Sequence, residues 1–380
     1  MLFDYEMLRV IWWGLIGLLL IGFAITDGFD MGVGALLPFV GRDDRERRVL
    51  INSVAPHWDG NQVWLITAGG AIFAAWPYVY ATAFSGFYIA MVLTLAALFL
   101  RPVGFDYRSK MSGSQWRSGW DWALCVGSAI PPVIFGVAFG NLLQGVPFEF
   151  NELLMVTYSG SFWALLNPFA LIAGLLSLTL FVLHGATYLM LRTRDPILTR
   201  VRLVAMVAGG VAFVLFALAG VYLWLGISGF RLTEIGGYGL PANPLNKQVV
   251  VDAGAWFANY RDWPLTMLAP ALGLLLPLLA ALAAFFNRGA LAFSASALAL
   301  AAVILTAALA MFPFIMPSSL NPSHSLTLWD ATSSAMTLNL MLYVAIVFVP
   351  IVLGYTIWCY VKMAGRLDSD FIARNEHSLY

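Results

Sequence analysis

Residues 10–31 read VIWWGLIGLLLIGFAITDGFDM, a run that carries no charge until Asp27 and Asp30 near its end. About 20 apolar residues are what an α-helix needs to cross a hydrocarbon core about 30 Å thick, and in lipid the backbone must satisfy its own hydrogen bonds. Working outward from this run, similar stretches recur at 53–76, 79–100, 119–143, 162–190, 203–226, 265–285, 290–314 and 337–362. The sequence therefore predicts an all-α, polytopic transmembrane helical bundle of about nine spans, a single integral membrane domain over 1–380 with a short tail at 363–380. Composition agrees, since 61% of the 380 residues are apolar and 11% are charged, against roughly 25% charged in a soluble domain. Zero net charge and the lack of a basic stripe exclude a nucleic-acid partner. Cys125 and Cys359 sit in apolar runs, which predicts small packing residues rather than a disulfide or a zinc site.

The runs at 53–76 and 79–100 are separated only by Trp76, Pro77 and Tyr78, which predicts a tight turn at a membrane interface, where aromatic rings sit well. Lys and Arg counts in alternate connections give the orientation. One set holds Arg42, Arg45, Arg47 and Arg48, then Arg101, Arg108, Lys110 and Arg117, then Arg192, Arg194, Arg200 and Arg202, then Arg288, and last Lys362, Arg366 and Arg374. The other holds only Arg9, Arg231, Lys247 and Arg261. Sixteen against four predicts an external N-terminus and a cytoplasmic C-terminus, and a missed span would have mixed the sets. The first run ends in Asp27 and Asp30 without a small-residue cleavage site, so it reads as a span and not a removable signal.

The connection over 227–264 is rich in Gly, Pro and Asn, lies outside by this count, and divides the chain into six spans and three. The first span ends Thr26, Asp27, Gly28 and the fifth carries Leu183, His184, Gly185; this weak echo would fit a duplicated four-helix unit, two such units plus one peripheral helix.

Intramembrane ionisable groups cost about 2.5–3.5 kcal/mol each at mid-bilayer on insertion scales, so each needs a reason. At i, i+3 spacing Asp27 and Asp30 share a helix face at the cytoplasmic end of the first span. Two carboxylates held close in a partly desolvated place titrate as a unit and can hold a proton between them. The second span re-enters from the same side with His57, Asp59, Asn61, Gln62 and Trp64. One reading is a proton-intake funnel, in which Asp27, Asp30, His57 and Asp59 line a wet cleft and pass protons inward by way of Asn61, Gln62 and Thr67. The other is helix-end decoration, with Asp59 favouring a helix N-terminus and Asp27 and Asp30 pairing with Arg45, Arg47 or Arg48. The gathering of polar groups at one membrane face favours the funnel.

His57 with His184 could in principle ligate a haem between two helices, although a lone membrane histidine is more often hydrogen-bonded packing; His324 and His377 fall in an external loop and the tail. Asp330 precedes the last span, where an N-cap is the preferred reading over a part in external proton release. Prolines inside several runs predict kinked spans. Phosphate loops, nucleophile elbows and CxxC pairs are absent from the sequence, so no catalytic residue is placed in this chain.

The strings IGFAITDGFDMG at 21–32, PHWDGNQVW at 56–64, RPVGFDYRSK at 101–110, GNLLQGVP at 140–147 and MFPFIMPSS at 311–319 together resemble subunit II of cytochrome bd-type quinol oxidases. The resemblance covers most of the chain. It implies a nine-helix subunit in a bacterial inner-membrane complex that oxidises quinol and reduces O2 to water. It also implies a larger partner, subunit I, that ligates two b haems and haem d, together with small single-span accessory subunits, lipid contacts and a structural quinone in this subunit. The resemblance further implies a cytoplasmic proton pathway through Asp27, Asp30 and Asp59, with His57 and Trp64 beside them. A proton-coupled carrier working alone is the rival from a different class, and kinked helices with buried carboxylates fit it too.

Overall fold

The structure, a computed structural model, describes residues 3–368 and residue 372. His377 and Arg374, and most of the tail from 369 onward, lie outside the described residues. Helix α1 (Tyr5–Val40) opens on Asp4, whose side chain accepts from Met7 N, and runs on to Gly41. It is followed by α2 (Asp44–Val54), α3 (Trp58–Ala75), α4 (Pro77–Gly86), α5 (Tyr88–Tyr107), α6 (Ser114–Gln144), α7 (Pro168–Arg192) and α8 (Ile197–Gly226). The last four are α9 (Ala258–Asp262), α10 (Leu268–Phe285), α11 (Gly289–Met311) and α12 (Ala335–Lys362). Among the described residues eight helices are long and apolar enough to cross a membrane, and nine if α3 and α4 count as one span bent by 119°.

Two boundaries differ from those expected. At 1.5 Å per residue α1 is about 54 Å long, well past the first apolar run at both ends, so Asp27 and Asp30 stand within the helix, Asp27 about 20 Å short of Val40. The helix continues because residues 31–40, MGVGALLPFV, remain apolar and keep a face buried against its neighbours. Trp76 to Tyr78 is not a simple turn either. Pro77, free of any N–H to satisfy, starts α4, and the next true span begins only at Tyr88.

The packing forms two groups. Helices α1, α3, α5 and α6 lie together, α7, α8, α10 and α11 form the second group, and α12 rests on the outside against α1 and α3. The groups meet along α7, which packs against both α6 and α1. A Cβ built on Gly32 would overlap the Phe181 carbonyl oxygen and stand 2.8 Å from the Gly185 backbone, so the two glycines let the backbones touch. That crossing pairs the same two helices that carry the Asp-Gly and His-Gly echo.

Connections at the end bearing the N-terminus fold into antiparallel ribbons: β1 (Phe148–Phe150) with β2 (Val156–Tyr158), β3 (Ser228–Ile235) with β4 (Lys247–Ala253), and β5 (Phe314–Met316) with β6 (Leu326–Thr327). This ribbon face buries an ion pair, Lys247 Nζ to Asp330 at 3.0 Å, and Asp330 also accepts from the backbone and hydroxyl of Thr327. Asp330 is therefore not the N-cap of α12. Ser334 caps it, accepting from Thr337 N at 3.2 Å. Burial drives the Asp330 carboxyl up and the Lys247 ammonium down, and each then restrains the other's shift. Arg9 is fully buried nearby, donating to Thr332 Oγ1 and to the carbonyls of Tyr238 and Leu240.

Candidate functional site

Four helices deliver polar side chains to one buried place, three of them from the first group and the fourth being α12. On α1, Asp27 and Asp30 lie three residues apart and are 0% and 2% exposed. From α5, Arg101 reaches Asp27 with two parallel hydrogen bonds, 2.9 and 2.5 Å, the bidentate geometry that a guanidinium and a carboxylate favour. Arg101 is itself 1% exposed. From the first turns of α3, Asn61 Nδ2 donates to Asp30 Oδ2 at 2.7 Å and to Thr26 O at 3.3 Å. From α12, the Tyr360 hydroxyl donates to Asn61 Oδ1.

The two carboxylates thus have different surroundings. Asp27 is fully matched by a fixed cation. The outer oxygen of Asp30, Oδ1, is buried and has no hydrogen-bond partner among the described residues. A buried acceptor without a donor is costly unless a proton or a water visits it.

His57 ends the α2–α3 turn; its ring is buried and lies 4.6 Å from that of Tyr360, centroid to centroid. Asp59, in the first turn of α3, is exposed on the side of the arginine-rich connections. Trp64 is half-buried, and its indole covers Gly22, 3.5 Å from where a Cβ would stand. The structure therefore brings Asp27, Asp30 and Asn61 into one cluster, sets His57 against its Tyr360 edge, and leaves Asp59 at the surface. Gln62 is half-buried and Thr67 exposed. Asp27 does not reach across the loop to Arg45, Arg47 or Arg48, because Arg101 occupies it.

Arg101 and Tyr360 are the residues that sequence reasoning left out. Arg101 stands directly after the apolar run ending at 100 and counts there as a loop charge; the shift of the span to Tyr88–Tyr107 carries it into the core. Tyr360 is one aromatic in an apolar helix and gives no signal of its own.

A haem between His57 and His184 does not fit. His184 is fully buried with both nitrogens engaged, Nδ1 with Ser296 Oγ at 2.8 Å and Nε2 with Ile25 O at 2.9 Å, and Phe293 is stacked on its ring. Neither nitrogen is free for axial ligation. Among the described residues no three His, Cys, Asp or Glu side chains are grouped to hold a metal ion.

The model of one protein family, cytochrome bd terminal oxidase subunit II, matches residues 8–363. The chain belongs to that family. It is 59% identical over 377 residues to cytochrome bd-I ubiquinol oxidase subunit 2 of Escherichia coli, covering 99% of this chain and 100% of that one. It is 57% identical, with the same coverage, to a probable cytochrome oxidase subunit 2 of Haemophilus influenzae. Its fold is similar to a chain in the structure of bd oxidase from Geobacillus thermodenitrificans, with a TM-score of 0.66, 16% identity, and coverage of 93% of this chain and 98% of that chain. This polypeptide is thus a membrane-embedded subunit of a terminal oxidase, and a carrier working alone is set aside.

Proposed function

We propose that this chain is the haem-free subunit of a quinol:O2 oxidoreductase of the bacterial inner membrane, and that its own task is to bring protons from the cytoplasm towards the site where O2 is reduced. The naming of the relatives supports the reaction. The observation that carries the proton task is the half-satisfied, buried carboxylate of Asp30, linked by Asn61 to Tyr360 and standing beside the fixed Asp27–Arg101 pair. Asp59 collects protons at the arginine-rich face, His57 stands between that surface and the cluster, and Asp30 holds the proton inside. Asn61 orients Asp30 Oδ2 and leaves Oδ1 open to receive it. Asp27 is held in place by its two hydrogen bonds from Arg101. Trp64 packs the wall between α1 and α3.

Water formation consumes protons, so drawing them from one side of the membrane conserves energy without a pump; each charge moved across 100 mV is worth about 2.3 kcal/mol. The arginine-rich face, reached by α2 and the α5–α6 connection, is cytoplasmic, with the N-terminus and the ribbon face in the periplasm. Two b haems and haem d, ligated by a larger subunit I, complete the reading. So do small single-span accessory subunits, quinol as reductant, and a structural quinone held in an apolar groove of this chain. A haem spectrum of the detergent-extracted complex, set beside that of this polypeptide expressed alone, tests the division of cofactors.

The proton task is tested by Asp30→Asn and Asp59→Asn in the assembled oxidase. Both are expected to slow O2 consumption while haem content per complex stays at the wild-type level, with the larger loss in Asp30→Asn. Wild-type turnover in both variants would refute it.

A further inference from the structure

A second polar cluster lies apart from Asp27 and Asp30, on the arginine-rich face. There the α1–α2 turn, the 3-10 turn Arg108–Lys110 and the start of α6 enclose a cavity of about 280 Å³. Arg42, Arg47, Arg108 and Arg117 line it, with Ser112, Ser114 and Ser118 between them.

Three acids share the lining, Asp43, Asp44 and Asp121, and they do not neutralise it. Asp43 caps α2, its Oδ1 accepting from Glu46 N at 2.8 Å. Asp121 is fully buried and divided between Arg47 at 2.8 Å and Arg108 at 2.5 Å; Asp44 is divided between Arg108 at 2.9 Å and Arg117 at 2.5 Å. Two carboxylates thus serve three guanidinium groups. Arg42 forms no ion pair among the described residues. Arg108 is 1% exposed and its Nη1 is buried with no hydrogen-bond partner among the described residues. Natural structures rarely leave such a donor unmatched.

The remaining donors point the same way. Gly113 gives α6 no side-chain cap, so the first-turn N–H groups of a 31-residue helix end beside Ser114 at the cavity. No hydroxyl of the three serines is hydrogen-bonded to a described residue, while Arg117 spends Nε on Met111 O at 3.3 Å and keeps Nη1 on Asp44. A wall of rings adjoins the site: Trp116 lies 5.8 Å from Trp120, which lies 6.4 Å from the exposed Tyr107. Such rings sit at the headgroup level of a bilayer.

Unmatched guanidinium forks, hydroxyls and a helix N-terminus share one ligand chemistry, a group with several anionic oxygens. We propose that this cavity binds a phosphate group, either the phosphodiester of an anionic inner-leaflet phospholipid or soluble phosphate. Basic pockets at the cytoplasmic ends of membrane helices hold lipid headgroups by the same forces.

The test uses the assembled oxidase, stripped of lipid in detergent and titrated separately with phosphatidylglycerol and with inorganic phosphate while its thermal unfolding midpoint is followed. Saturable stabilisation is expected, with half-saturation raised about three- to tenfold in Arg42→Gln, which breaks no ion pair, and further in Arg42→Gln/Arg117→Gln. Arg288→Gln, which removes one charge from the same face at the α10–α11 connection, should leave it unchanged. Stabilisation by phosphatidylglycerol alone assigns the site to lipid, and an Arg42-sensitive response to inorganic phosphate assigns it to the soluble ion. No saturable response to either ligand, or equal weakening in Arg288→Gln, overturns the proposal.

Discussion

Asp27 places a carboxylate inside a helix surrounded by apolar neighbours, and Arg101 meets it there with two hydrogen bonds. The net gain from such a pair is small, but removing one partner strands a buried charge at a cost of about 3–5 kcal/mol. Asp27→Asn should therefore deplete assembled oxidase, seen as less haem-bearing complex per unit membrane, and Asp27→Asn/Arg101→Gln should recover a substantial part of it. Equal yields of wild type and single variant would show that Asp27 is not structurally tied. Asp30 lacks such a tie, so its loss should be read in turnover and not in yield. The sequence makes Asp27 and Asp30 conspicuous because charge in an apolar run is costly. It hides Arg101, which stands one residue beyond the run, and Tyr360, whose hydroxyl gains meaning only when α12 lies against Asn61.

At the scale of elements, the α1–α7 crossing depends on what is missing from Gly32. A methyl group there would meet the Phe181 carbonyl and the Gly185 backbone, neither of which can yield as a side-chain end could. Overpacking of this kind costs about 1–3 kcal/mol or more. Gly32→Ala is expected to lower the thermal midpoint of the complex, whereas Gly14→Ala, with nothing within 4 Å, should not. A second joint is Glu46 on α2, which accepts from Arg42 N at 2.8 Å and pairs with Arg200 of α8, itself bonded to Val40 O at the end of α1. The Arg200 hydrogen bond is the main force holding the Glu46 carboxyl below its ordinary value. A depressed carboxyl stabilises the fold above its unfolded pKa, about 4.3, and that contribution is lost as pH falls through the folded value. Glu46→Gln should therefore cost about 1–3 kcal/mol near neutral pH and flatten the acid limb of the stability curve. Thermal midpoints measured from neutral pH down through the carboxylate range to about pH 3 check this, and parallel curves for the two proteins would contradict it. The existence of the helices is legible because apolar length is a strong signal. Their ends are not: α1 runs on through Asp27 and Asp30 to Val40 because those carboxylates find partners on α5 and α3, neighbours distant in sequence.

At the scale of the molecule, a largely apolar exterior surrounds buried polar groups, Asp27, Asp30, Arg101 and Asn61 among them. The number of crossings and the bias of Arg and Lys between faces can be read from the sequence, since both are sums over many residues. The division into two helix groups that meet along α7, with α12 outside them, cannot, because apolar faces carry no address until they pack. In the proposed proton task Asp30 passes cytoplasmic protons to chemistry in a neighbouring subunit. The most direct measurement is time-resolved proton uptake during a single turnover of the reconstituted oxidase, read by a pH dye on the cytoplasmic side, for wild type and Asp30→Asn at equal haem content. Asp30→Asn is expected to keep its initial reaction with O2 and to take up protons at least about tenfold more slowly, the effect typical of losing a positioned proton-transfer group. Uptake at the wild-type rate would contradict it.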